Sequence, residues 1–218
     1  MTHQHVQQVA KNTMAYLEKT VVAGMTAQEV ADLAEAFMKE AGIETFWYYG
    51  IGAFVHIGAD TIVSESGRVY KPSQRQIQET DIVTVDLSPC IGNLWGDYAR
   101  TIIVGNRTEF KEGLLTEKLL HGKLIEIARP EMTFHDLYEK MNGYIKYLGY
   151  ENLDFGGNLG HSIEIQKDHR IYIERDNHAR LSSKTFFTFE PHIRKINSLY
   201  GFKREDIYYF EGSRLRPL

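Results

Sequence analysis

Apolar and polar positions alternate with helical spacing through the first forty residues. Residues 4–20 predict one helix, and "GMTAQEVADLAEAFMKEAG" predicts a second over 26–41. In that second stretch Val30, Leu33, Ala34, Phe37 and Met38 share a face at intervals of three and four. Thr26 with Glu29 three residues on has the form of a capping box, and Gly42 stands where a left-handed residue ends such a helix. The same device returns 107 positions later in "EMTFHDLYEKMNGYIKYLG", with Thr133, Asp136 and Gly149. There Leu137, Met141, Tyr144, Ile145 and Leu148 form the apolar face. In both copies the glycine follows the threonine by sixteen residues and a strand-rich segment comes next. Shared start, stop and face predict a duplicated unit.

The remaining pattern predicts strands through 47–64, a loop at 65–79, a hairpin over 81–104, a helix over 114–128, and strands from about 149 to the end. Helices would cover one side of the sheet, an α+β layer arrangement. The hairpin "DIVTVDLSPCIGNLWGDYARTIIV" carries an oddity, because Asp86 and Asp97 interrupt apolar strands. Aspartate is disfavoured in strands. A two-residue turn at Gly92-Asn93 sets Asp97 opposite Ser88, on the same face as Asp86. The two acids are then diagonal neighbours, roughly 7–8 Å apart at the backbone. Two anions so close require a cation between them, water on that face, or pairing with Arg100.

Composition narrows the setting. The chain has 218 residues, 43% hydrophobic and 25% charged, with thirteen Tyr and eleven Phe to fill a core. A formal charge of −4 argues against a general nucleic-acid binder. No apolar run approaches the ~20 residues needed to span a bilayer, and the polar start "MTHQHVQQVAKNT" lacks a signal-peptide core. A single cysteine, Cys90, excludes an internal disulfide framework and a cysteine-based zinc cluster. These features lead to the expectation of a soluble cytoplasmic protein with neither nucleic acid nor membrane as partner; a homodimer is left open.

The second half adds donors. Glu190 ends the apolar run "TFFTFE", Glu205 begins another strand in "REDIYYFEG", and His161 follows a glycine in "NLGHSIEI". With Asp86 and Asp97 they make four carboxylates and one imidazole, a hard, oxygen-rich set suited to Mn²⁺, Fe²⁺ or Co²⁺, with Zn²⁺ also admissible. Spacing alone does not select these five.

At these residues the sequence resembles the pita-bread (M24-type) metallopeptidases, the family of methionine aminopeptidases, Xaa-Pro aminopeptidases and prolidases. That family's pattern is an Asp, a second Asp eleven residues later, a Gly-His pair, a Glu commonly followed by Pro, and a final Glu before a strand. Here the pattern reads Asp86, Asp97, Gly160-His161, Glu190-Pro191 and Glu205. Glu211 competes for the last role, but the family's ligand precedes the terminal strand. The resemblance implies a pita-bread α+β fold with a pseudo-twofold internal repeat, spanning 1–218 as a single catalytic domain without an extra N-terminal domain. It implies that Asp86, Asp97, His161, Glu190 and Glu205 hold two divalent metal ions that share a bridging hydroxide. Glu190 would double as general acid and base, and the substrate would be a small peptide of the Xaa-Pro type. His169, and with it His178, would donate to the oxyanion or the leaving group. Strand alternation puts His192 on the face of Glu190 as a substrate contact, and His56 is the nearest upstream histidine.

The chain also departs from the family pattern. The segment before Asp86 holds no histidine, Trp47-Tyr48 stands where a subgroup has Trp-His, and the usual Gly-His-Gly-Ile-Gly reads Gly160-His161-Ser162-Ile163-Glu164. The family's second histidine falls at Asp168, with His169 one residue away. Two other readings follow: the same metal fold acting on a non-peptide small molecule, by amide hydrolysis or di-iron O₂ chemistry, or a non-catalytic binding module.

Overall fold

The helices form where a cap and an apolar stripe coincide. In the computed structural model, which describes residues 2–218, helix α1 (His3–Thr20) starts at Thr2, whose side chain accepts the His5 N–H. Helix α2 (Ala27–Glu40) carries the complete capping box between Thr26 and Glu29, and Gly42 ends it at φ +91°. The chain continues through strands β1 (Thr45–Phe46), β2 (Ala53–Ile57), β3 (Ile82–Leu87), β4 (Pro89–Ile91), β5 (Leu94–Trp95) and β6 (Tyr98–Ile103). Helices α3 (Thr108–Ile127) and α4 (Phe134–Tyr147) follow. The second capping box, Thr133 with Asp136, is likewise complete, and Gly149 ends α4 at φ +82°. Strands β7 (Tyr150–Asn152), β8 (Phe187–Phe189), β9 (His192–Lys195), β10 (Gly201–Lys203), β11 (Asp206–Glu211) and β12 (Arg214–Pro217) complete the chain.

Two elements differ from the sequence expectation. Helix α3 begins six residues earlier than expected and contains Gly113, because the Phe202 ring packs where a Cβ of that residue would lie. Much of 47–64 is not strand. After β2, the Thr61 hydroxyl donates to the Gly58 carbonyl at 2.6 Å and closes a 3-10 turn over Gly58–Ile62.

The strands form four three-stranded antiparallel sheets that come in two matching pairs. The arrangement β1–β4–β5 recurs as β7–β9–β10, and β2–β3–β6 recurs as β8–β11–β12. In each half the chain passes between its two sheets three times, and two of these passages are short steps. The steps lie at Ser88 and at Gly96-Asp97 in the first half, and at Glu190-Pro191 and Arg204-Glu205 in the second. Each half has its own apolar core. Val83, Val85 and Leu87 of β3 pack with residues of α1 and α2, while Phe187 and Phe189 of β8 pack with residues of α3 and α4. The Gly92-Asn93 turn pairs Ile91 with Leu94, and the same register continues to Leu87–Tyr98 and Asp86–Ala99. The odd positions of β3 therefore face the helices, and Thr84, Asp86 and Ser88 face the other way. No helix among the described residues is long and apolar enough to cross a membrane.

Candidate functional site

A cavity opens on that even-numbered face of β3, and residues from both halves line it. Asp86 projects into it from mid-strand. Asp97 stands at the step between β5 and β6, where Gln7 of α1 clamps its backbone: the amide Nε2 donates to the Asp97 carbonyl and Oε1 accepts the Asp97 N–H, both at 2.8 Å. Glu205 stands at the equivalent step between β10 and β11, its N–H donating to the Ala99 carbonyl at 3.0 Å. Glu190 follows β8 and donates its N–H to Leu159 at 2.9 Å. His161 lies beside β8 and accepts the Thr188 N–H at 2.7 Å. Gly160 permits this approach: it sits at φ +144°, and a Cβ there would run into the Thr188 carbonyl.

These five side chains converge. Ligand atoms of Asp97, His161 and Glu205 lie within 4.8 Å of one another, as do those of Asp86, Glu190 and Glu205, so Glu205 is common to both groups. The His161 ring is oriented by its own loop. Its Nδ1–H donates to the Ser162 carbonyl at 3.0 Å, which leaves the Nε2 lone pair 3.4 Å from Asp97 Oδ2 and 3.7 Å from Glu190 Oε1. Asp97 Oδ2 and both Glu205 oxygens are buried without a hydrogen-bond partner. Leaving such groups unsatisfied is expensive. Burial pushes the Asp97 carboxyl up to about 6. Burial, followed by the charges of Asp97 and Glu190, holds Glu205 well above the usual carboxylate range. Carboxylate oxygens facing an imidazole lone pair, with no donor between them, fit a divalent cation and little else.

The second group is different. Lys203, at the end of β10, donates from Nζ to Asp86 Oδ2 at 2.6 Å and lies 3.3 Å from Glu190 Oε2. Burial alone would lower its pKa, but Asp86, Glu190 and Glu205 outweigh it and hold the ammonium well above its ordinary value. The sequence reading missed Lys203, although it precedes Glu205 by two residues and strand alternation could have suggested a shared face. The cavity wall was also missed. Trp47 stacks on Trp95 at 4.6 Å and meets the His161 ring edge-on at 5.4 Å, and Arg170 lies over Trp47, Tyr48 and Tyr172 at 4.9–5.4 Å.

Of the other histidines, two line the cavity. His192 donates from Nε2 to the Thr61 carbonyl at 2.7 Å, and burial lowers its pKa to about 3, so it is neutral. His56 stands 3.5 Å from Glu65 and is also held below its ordinary pKa by burial. His169 and His178 do not reach the site, contrary to the sequence expectation. Both are exposed and neither lines the cavity. The 3-10 turn at Lys167–His169 carries His169 outward and leaves Arg170 and Tyr172 beside His161, while His178 packs against His135. Glu211 pairs with Arg216 at 3.2 Å at the exposed end of β11, so Glu205 is the acid in the cluster.

Comparison with known proteins bears on the family and the fold. The family model for "Metallopeptidase family M24" matches residues 2–211. A Xaa-Pro dipeptidase of Pyrococcus furiosus is 30% identical over 202 residues, covering 90% of this chain and 54% of the relative. Among solved structures, the X-Pro aminopeptidase from Thermotoga maritima superposes with a TM-score of 0.83 at 20% identity, over 97% of this chain and 58% of that one. The methionine aminopeptidase from Rickettsia prowazekii gives 0.78 at 19% identity, over 99% of this chain and 94% of that one. At these identities the structures speak for the fold, which is the α+β pita-bread fold expected from the resemblance. The chain spans about half the length of the curated Xaa-Pro dipeptidases it matches.

Proposed function

Because this chain belongs to metallopeptidase family M24, we propose that it is a metal-dependent hydrolase of the aminopeptidase type, with small peptides of the Xaa-Pro kind as substrates. The observation that carries this reading is the unpartnered oxygen set of Asp97 and Glu205 grouped with His161, beside a cavity that Asp97 and His161 line. Those three residues would hold a divalent ion, and the oxygen-rich donors suit Mn²⁺, Fe²⁺ or Co²⁺. A bound ion supplies Lewis acidity toward a carbonyl and lowers the pKa of water toward neutrality. Glu190 is 17% exposed, so its carboxylate borders both the cluster and the cavity. It takes the proton of the attacking water and returns it to the leaving amine. His192, tied by Nε2–H to Thr61, keeps Nδ1 as an acceptor for a substrate N–H. Trp47, Tyr48 and Tyr172 narrow the cavity that Asp86, Asp97 and Glu190 line. The cavity draws on both halves, which supports their acting as one catalytic unit.

The test is release of free amino acid from Xaa-Pro dipeptides and Met-initiated peptides by protein loaded with Mn²⁺, Fe²⁺ or Co²⁺. Turnover is expected, and Glu190→Gln should abolish it while the protein still takes up metal. Silence across the panel at full metal occupancy overturns the peptide reading. The outward placement of His169 and His178 favours a second reading, hydrolysis of a non-peptide amide. Turnover of simple amides with no turnover of peptides would select it.

A further inference from the structure

The two acid groups at the site share Glu205 but differ in what neutralises them. At Asp97, His161 and Glu205 three carboxylate oxygens have no partner. At Asp86 and Glu190 the oxygens that would face an ion, Asp86 Oδ2 and Glu190 Oε2, already face the Lys203 ammonium at 2.6 and 3.3 Å.

The ammonium is built into place. The backbone that carries it is fixed on both sides: the Lys203 backbone N–H donates to Thr101 Oγ1 at 2.9 Å, and Lys203 pairs with His192 across β9 and β10. The preceding Phe202 ring is fully buried against Gly113 of α3. Alternation then sends Phe202 into the core and Lys203 into the cavity, where its side chain is 20% exposed. A divalent ion entering between Asp86 and Glu190 would have to expel this ammonium from its carboxylates or lie directly against it. Either course puts like charges together in a largely buried site. Charge balance points the same way. Four carboxylates opposed by one lysine and one divalent ion leave a single negative charge, and a second ion would turn the cluster positive.

We propose that Lys203 is the second cation of this centre: the chain takes one divalent ion, at Asp97, His161 and Glu205, and the tethered ammonium stands where the resemblance implies a second. The inference rests on the metal-dependent reading above and concerns only how many ions the acids accept.

The experiment is a count. Metal-free protein is titrated with excess Co²⁺, following calorimetric stoichiometry, bound cobalt after gel filtration, and the Co²⁺ absorption spectrum. Wild type should bind one equivalent. Lys203→Met, which keeps the stem and removes the charge, should bind two, a gain that a merely structural lysine would not produce. Lys203→Arg should stay at one. Two equivalents in wild type, or one in a folded Lys203→Met, overturns the proposal. If Lys203→Met does not fold, the wild-type count decides alone. A wild type that binds no Co²⁺ sinks the metal-dependent reading itself, and with it this one. One bound ion without peptide turnover leaves the proposal standing and removes only the peptide substrate.

Discussion

Asp97 stands at the step from β5 to β6 and Glu205 at the step from β10 to β11, so both halves of the chain turn the same corner and present an acid there. What lies behind the corner differs. In the first half the amide of Gln7 takes both backbone groups of Asp97. In the second, α3 supplies ionisable groups. His121 donates from Nε2 to the Arg204 carbonyl at 3.1 Å, and Glu117 accepts from Thr101 at 2.8 Å, whose oxygen in turn accepts the Lys203 N–H. An amide clamp is indifferent to pH, but burial pushes the Glu117 carboxyl up to about 7 and the His121 imidazole down to about 3. Duplication of the backbone thus positions the donors, while the side chains behind them set the conditions under which each corner holds.

The equivalence of the corners is tested most strongly by removing the acids. Asp97→Ala and Glu205→Ala should each weaken metal binding by more than about 100-fold, since loss of a mere outer-shell partner already costs 10–100-fold. Both variants should retain a cooperative thermal transition. Normal metal uptake by either one breaks the comparison.

The difference in support is tested by Glu117→Gln. The folded pKa near 7 lies above the ordinary 4.5. The favourable contribution of protonated Glu117 is therefore complete below 4.5 and is lost as pH rises to 7 and beyond. The full effect is on the order of 3 kcal/mol. Denaturant unfolding at about pH 5 and about pH 8 should show this loss in wild type, and the variant should be flatter by that amount. An unchanged pH profile would mean that Glu117 is not the sensitive group.

Within α3, Gly113→Ala should cost about 1–3 kcal/mol by driving a methyl into the Phe202 ring. Gly122→Ala, exposed with open space around it, should instead stabilise by about 0.5–1 kcal/mol. Thermal melts that ranked the two the other way would refute the packing that seats β10. The smallest effect concerns the caps. Thr26→Ala and Thr133→Ala should each cost about 1 kcal/mol, nearly equally, because both boxes close with the same bonds. A clear inequality in their melting shifts would show that the two helices are not equivalent after all.

Legibility in the sequence followed the range of the interaction. Thr26 with Glu29 and Thr133 with Asp136 announced their helices because capping is decided within a turn. The Gly92-Asn93 turn announced the shared face of Asp86 and Asp97 because register follows from turn length and alternation. The early start of α3 was hidden, since Gly113 is tolerated only through a ring on β10. His169 misled for a similar reason: nearness to His161 in sequence did not survive the turn that carries it outward.

What the sequence by itself determined is most of the elements, the duplication of the capped helices, and the shared face of Asp86 and Asp97, all consequences of local periodicity and turn chemistry. Only the tertiary structure decided which of those acids would lack a partner. Lys203 meets Asp86 across 117 residues, and no local pattern encodes that meeting. It depends on two strands from different halves packing over one cavity, where burial makes an unpartnered carboxylate and an ion-paired one entirely different groups.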